Sequence, residues 1–598
     1  ARRPAGDVAR FVDQGGAFFV PAAAGSSPRS DATMPSEQKK ASPQLDPAYP
    51  YGTLFEGIHL LSAGAGTSTD PYADELSSHY SGVSEDDSLS GPAREAALLF
   101  CVAQGHLREG EGEEALKAAT DVQAQFQKLG DKSGVADALR LVVSAYCCQR
   151  MTQQAADKAT EELDRFKKAG DKRGEASMKL ALGEVQLSKY DAGAALDLME
   201  EALAISRGIG DKRMEATIQL GISHAEDKKS NPKDAIRAAQ AAQELFAEAK
   251  DKRGQANALH ALAEKSLKTD LAEEALQAAK AALTLFNGLE DQRSEVAVLE
   301  TLVDIQIARG DSREAHRIAS ESLELCRKIG NKRGESVALC KSVNANLERG
   351  DYGAALRQAR DGKRQFFSEG HKTEEAIASD ALVETYLAQS LGKDALATGW
   401  EAMEIRKDLS DKTGHPRSVL MVAMLHLVNS HDEWALQAAL EAGRMYTDMG
   451  DKEGQGYVQY ALLSIHTARD EPTEALDAAK EAEALFRAIE NRKWMASTCM
   501  MLCRTHRQTG DIKAAITAAG RARWMYEEAG DKKAASAALL TACHMHLQMQ
   551  QPQKALQFAS RSQKMVENIQ HIKSKTTSMI MLGSAHLANG EPETAFNI

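Results

Sequence analysis

The densest run of metal-capable side chains is Cys499, Cys503 and His506, whose i, i+4, i+7 spacing sets three ligands on one helical face. A ladder of imidazoles runs past it: His426, His466, His506, His546 and His586 recur every forty residues, and His106 falls in the same register. Imidazole titrates near neutrality, so the ladder could change charge between about pH 7.5 and 5.5. His544 and His546 look like a chelating pair, yet residues two apart on a helix point to different faces. Cys147 and Cys148 adjoin on a helix, which disfavours a disulfide between them. No glycine-rich phosphate loop, framework of paired carboxylates or ordered Ser/His/Asp set stands out, so neither an enzyme nor a bound cofactor is expected.

These spacings are set by a forty-residue clock. Gly130-Asp131-Lys132 returns as Gly170-Asp171-Lys172-Arg173, as Gly210-Asp211-Lys212-Arg213 and, with variations, at every fortieth position to Gln570-His571. A constant period of this length marks a solenoid, in which each unit buries its apolar face only against its neighbours. At each junction Gly can end one helix in the left-handed conformation, and Asp or Asn can cap the next. Within residues 171–210, one helical pattern extends to about Lys189, a turn follows at Tyr190–Gly193, and Ala195, Leu198, Met199, Ala202 and Ile205 mark a second helix.

Columns across the units carry the packing. Ala occupies 115, 155, 195 and every fortieth position to 595, and the positions four and seven residues on are mostly Ala, Gly or Ser. Such small side chains let helices approach to the short end of the usual range of about 8–10 Å. Phe126, Phe166, Phe246, Phe286, Phe366, Tyr446, Phe486 and Tyr526 then fill the space between successive pairs. The columns of Cys499 and Cys503 elsewhere hold Leu139 and Val143, or Leu299 and Val303, so inward packing accounts for both cysteines and no metal site is expected. Neighbouring units stand roughly 10 Å apart, too far for rungs of the imidazole ladder to share an ion at about 2 Å. The histidines are expected to be half-buried rings whose protonation loosens the C-terminal half below about pH 6.

Composition agrees. The 598-residue chain exceeds one ordinary core, and low aromatic content with only 14 prolines suits a helical array. A net charge of −13 argues against general binding to nucleic acid or anionic membranes, and no apolar run of about eighteen residues would span a bilayer. Eight cysteines with no framework spacing fit an intracellular reducing compartment, with the cytoplasm expected. Residues 1–91 break the clock: rich in Gly, Ala, Ser and Pro, they read as a disordered or extended arm, with Pro50–Leu61 able to form a short helix. A targeting remnant in its basic start is opposed by Asp7 and Asp13. Because Ile598 falls inside the second helix of a thirteenth unit, the natural protein is expected to continue.

Helix–turn–helix units carrying Leu182-Gly183, then Ala195 and Ala202, with Tyr146 or Tyr386 in the first helix, resemble tetratricopeptide repeats (TPR). The opening Gly170–Ala176, Gly-Asp-Lys-Arg-Gly-Glu-Ala, is similar to the forty-residue version in cell-polarity and receptor-coupling scaffolds. The resemblance covers 92–598 and implies an all-α, right-handed superhelical solenoid of about twelve to thirteen repeats behind a largely irregular N-terminal arm. This chain departs from the pattern where the residue four after the first Ala is small and where Gly is confined, in its first-helix column, to Gly183 and Gly583.

In that family the first helices line a concave groove, which here corresponds to the columns of Ser177, Leu180, Glu184, Leu187 and Ser188. Mid-array these columns supply Glu264, Glu300, Asp304, Asp380 and Glu384; further on they supply Arg417, Tyr457, Tyr460, Arg504 and Arg507. Arg and Tyr dominate many interfaces, so these residues are the candidate partner-binding set. The expected function is a scaffold that holds a segment of another protein in the groove. The alternative is a structural subunit built permanently into a large assembly. The acidic balance disfavours a helical-repeat RNA binder.

Overall fold

Each period opens with the same local chemistry. At Gly170 the backbone turns to φ 67°, its N–H donates to Lys167 O at 3.2 Å, and the Asp171 N–H donates to Phe166 O at 3.0 Å, which closes the preceding helix. Asp171 then accepts from the Gly174 N–H at 3.0 Å and opens the next. Every described junction from 131 to 531 repeats this Asp or Asn cap except His371, whose side chain makes no capping bond. The turn inside each unit uses a left-handed residue as well: Gly at 110, 310, 350, 510 and 590, but Arg150, Tyr190, Ser230 and Asp270 among others.

The computed structural model describes residues 73–85, 88, 90–567 and 572–598. Twenty-seven helices and no strand occur among them. Helix α1 (Ala73–Glu85) lies inside the stretch read from sequence as an irregular arm, and α2 (Gly91–Glu109) with α3 (Gly112–Leu129) form the first helix–turn–helix unit. Twelve further units follow, the last represented by Ile572–Ala588 and Pro592–Phe596. The segment Pro50–Leu61 and the junction Gln570–His571 lie outside the described residues.

First helices pack on the second helices that flank them and also on the first helices of adjoining units; second helices pack on the helices just before and after them in the chain. First helices therefore form the inner, concave layer. Between the layers the alanine column is fully buried from Ala115 to Ala555, and the rings of Phe246, Phe286, Phe366 and Phe486 are buried with it. Four of the column's rings lie directly over a glycine in the next first helix. A Cβ on Gly134, Gly174, Gly254 or Gly454 would stand 2.6, 2.3, 2.4 or 2.0 Å from the ring of Phe126, Phe166, Phe246 or Tyr446.

The array winds far enough to touch itself. Tyr190 Oη donates to Asp451 Oδ1 at 3.1 Å, Ser230 Oγ donates to Glu490 O at 3.3 Å, and the Lys532 N–H donates to Asp270 Oδ2 at 3.0 Å. These separations of 260 to 262 residues amount to about six and a half units per turn. The turns inside three successive units thus meet the junctions between units one winding later, again in steps of forty residues. The second winding seats on the first.

Candidate partner-binding channel

Several inner side chains balance one another. Asp304 accepts Lys341 Nζ on both oxygens, at 2.7 and 2.6 Å. Burial alone would lower the Lys341 ammonium, but Asp304 outweighs it and the net displacement is upward. One turn before Asp304, Glu300 is pushed up to about 8, chiefly by burial, with Lys341 opposing and Asp304 reinforcing. Glu264 is half-exposed, 3.9 Å from His260 Nε2 and 3.8 Å from Lys265 Nζ. Lys265 and Lys268 both donate to Asp227, at 3.1 and 2.7 Å, and hold its carboxyl below the usual range against burial. Arg140 donates to Glu184 at 3.1 Å between two successive inner helices.

The ten residues singled out from sequence do not form one surface. Asp380 is buried, gripped through both oxygens by Arg406, whose Nη1 also donates to Ser418 Oγ at 2.6 Å; it joins helices and faces no incoming ligand. Tyr460 is likewise buried, edge-on to Trp494 with centroids 5.2 Å apart, and belongs to the core. Glu384, Arg417, Tyr457, Arg504 and Arg507 stay half-buried, as do Glu264, Glu300 and Asp304. Tyr457 lies 4.7 Å from the Trp494 ring and donates to Glu453 at 2.6 Å. Burial and then that carboxylate push its phenol well above the ordinary range, with Arg417 pulling the other way. Arg417 and Tyr457 stand on successive inner helices, and Arg504 and Arg507 follow one unit further on.

The residues that sequence reading passed over carried a signal of their own. Lys341 is the one charge in a first-helix column that elsewhere holds Ala, Gly, Leu, Met, Cys or Thr, and Arg406 stands where Phe366 and Tyr446 stand in the flanking units. A charge in an apolar column forecasts a counter-charge nearby.

The imidazole ladder is a local device. His106, His466 and His586 meet Glu111, Glu471 and Glu591 at 2.6, 2.7 and 2.6 Å, and His546 meets Gln551 at 3.0 Å. Each ring thus reaches the residue that begins the second helix. His426 differs: it is buried between Trp400 and Trp434, 3.4 Å from His431 Nδ1, and burial, then His431, lower it to about 4. Cys499 and Cys503 are buried among apolar neighbours, with the Cys499 thiol pushed up to about 11 by burial. Among the described residues no three His, Cys, Asp or Glu side chains converge on a metal position, and no helix is long and apolar enough to cross a membrane.

No family model matches the chain, and no curated protein does. Among solved structures it is similar to RapI in its apo form (13% identity over 60% of this chain and 99% of that one, TM-score 0.40). It is also similar to BtubC (BKLC) from P. vanneervenii (16%, 37% and 91%, 0.31) and to the APC/C hetero-tetramer Cut9-Hcn1 (15%, 82% and 96%, 0.28). The fold is a TPR-like helical array. In a TPR-like array the inner helices offer a continuous, rigid face, and here the described part of that face carries acids, bases and aromatic rings held at fixed positions.

Proposed function

We propose that this chain is a non-enzymatic protein-interaction scaffold whose concave channel, within residues 92–598, holds an extended or helical segment of another protein. One observation carries the reading: Glu264, Glu300, Glu384, Arg417, Tyr457, Arg504 and Arg507 remain half-exposed on the inner helices. Side chains needed only for packing would be buried as Tyr460 is. Rigid placement lowers the entropy cost of binding, and Arg and Tyr supply contact energy at little further ordering. The likeness of the Gly170–Ala176 opening to cell-polarity scaffolds belongs to this proposal. Combining Arg417→Ala, Tyr457→Ala, Arg504→Ala and Arg507→Ala in the full chain should abolish co-purification of the bound protein and leave helical content unchanged. Undiminished recovery of that protein with the fourfold variant would refute the channel as its seat.

A second reading has its own support. Tyr352, Phe367, Leu440 and Trp524, all on second helices, are 44%, 69%, 45% and 54% exposed. Large apolar groups on the outer layer suit a subunit fixed by its convex side in an assembly. In that case the fourfold channel variant keeps its partners, whereas Phe367→Ala with Trp524→Ala loses them.

A further inference from the structure

Helix α1 begins at Ala73, in the register that would give the second helix of a unit preceding the first, since α3 begins at Gly112. It does not pack as a second helix. It touches α2 and also Lys252–Lys268, the first helix of the fifth unit, so it enters the concave side and reaches across it. Tyr80 packs on Phe100 with ring centroids 4.0 Å apart and planes tilted by 30°, and lies 5.4 Å from the Phe126 ring; Leu76 and Tyr80 are buried in one cluster with Leu141 and Val142. Phe100 and Asp137 occupy the columns of Leu180 and Ser177, which the sequence assigns to the groove.

The polar side of this seat is built. Tyr80 Oη donates to Asp137 Oδ2 at 2.9 Å, and Asp137 is steadied by Arg173 Nη2 at 3.2 Å, while Arg173 reaches Ser133 O at 3.2 Å and Asp211 at 3.3 Å. Yet α1 leaves the seat unfinished. Asp137, 1% exposed, keeps Oδ1 without a hydrogen-bond partner, and the fully buried Gln104, one helical turn beyond Phe100, bonds through neither end of its amide. Buried polar atoms are seldom left in this state, and each costs the desolvation of that atom.

We propose that α1 is an internal ligand of this seat and holds the place of a partner helix that presents a leucine and a tyrosine one turn apart, with a further donor and acceptor for Asp137 and Gln104. The proposal rests on the concave face being the binding face, and it fixes both the chemistry of the partner and the segment that competes with it. Because α1 is tethered to its seat, its effective concentration there is in the millimolar range, so a free helix competes against a large local excess.

The test uses the full chain and a fluorescent peptide with the sequence of Ala73–Glu85, followed by anisotropy. With Leu76→Ala and Tyr80→Ala together in the chain, the peptide should bind at least about tenfold more tightly than to the unaltered chain, because the tethered competitor is gone. Adding Asp137→Asn to that double variant should cost most of the gained affinity, and a peptide carrying Tyr80→Phe should bind several-fold more weakly. Equal binding to the double variant and the unaltered chain, or binding to neither, overturns the proposal. So does loss of amide-exchange protection over 91–169 in the double variant, since α1 would then be a fixed cap. Because neither measurement involves the cellular partner, the internal ligand can fail while the fourfold variant still releases that partner, and the channel reading would stand.

Discussion

Arg406 occupies the column in which Phe366 and Tyr446 stand, and the cost of that exchange falls on Asp380. Removing one partner of a buried pair strands the other, so Arg406→Ala should destabilise the chain by about 3–5 kcal/mol. Replacing both, with Arg406→Phe and Asp380→Leu, restores the apolar column and should leave stability within about 1 kcal/mol of the unaltered chain or above it. Chemical denaturation of the two variants checks both values. His426 gives the pH dependence at this scale. Its folded value, lowered to about 4 from 6.5, means that the unfolded chain binds more protons between those limits. Stability from this group is therefore full above about pH 6.5 and falls as the pH drops toward 4, by about 2 kcal/mol between pH 7 and 5. Thermal melts at the two pH values should draw closer together in His426→Phe, with the remainder left to buried imidazoles such as His224 and His260, which burial lowers in the same direction. Sequence alone assigned this sensitivity to the whole ladder; His106, His466 and His586 instead meet Glu111, Glu471 and Glu591, whereas His426 is buried between two tryptophans and meets another histidine.

Between helices, the clock is kept by fit as well as by caps. Gly174 sits in a helix, where Ala is ordinarily favoured by about 1 kcal/mol. Here a methyl group would meet the Phe166 ring at 2.3 Å, so Gly174→Ala should destabilise by about 1–3 kcal/mol, the usual cost of overpacking. Combining it with Phe166→Leu, which removes the ring, should restore part of the loss; a melt in which Gly174→Ala alone is neutral or stabilising would contradict the close approach. The caps and the alanine column were legible in the sequence because both act within a few residues of themselves. The glycine column at 134, 174, 254 and 454 was legible as a repeat, but its purpose was not, because the ring it receives arrives from the preceding helix.

At the scale of the whole molecule, the contacts between windings decide the shape. Asp270 meets the Lys532 N–H and, at 3.6 Å, Lys533; Arg150 and Tyr190 meet Asp451. These contacts are few beside the packing within and between successive units, so the windings should part before any unit melts. Tyr190→Ala with Asp270→Lys should raise the radius of gyration in solution scattering without changing the helical circular-dichroism signal. An unchanged radius would mean that the windings are held by something other than these contacts.

The forty-residue repeat by itself determined the helices of the units, their caps, the order of units and which columns turn inward, since each depends on groups a few positions apart or on neighbouring units. Only the tertiary structure decided which inward charges find partners, where α1 lies, and that the second winding seats on the first. Those outcomes depend on a small rotation per unit summed over about six and a half units. No local pattern records that sum.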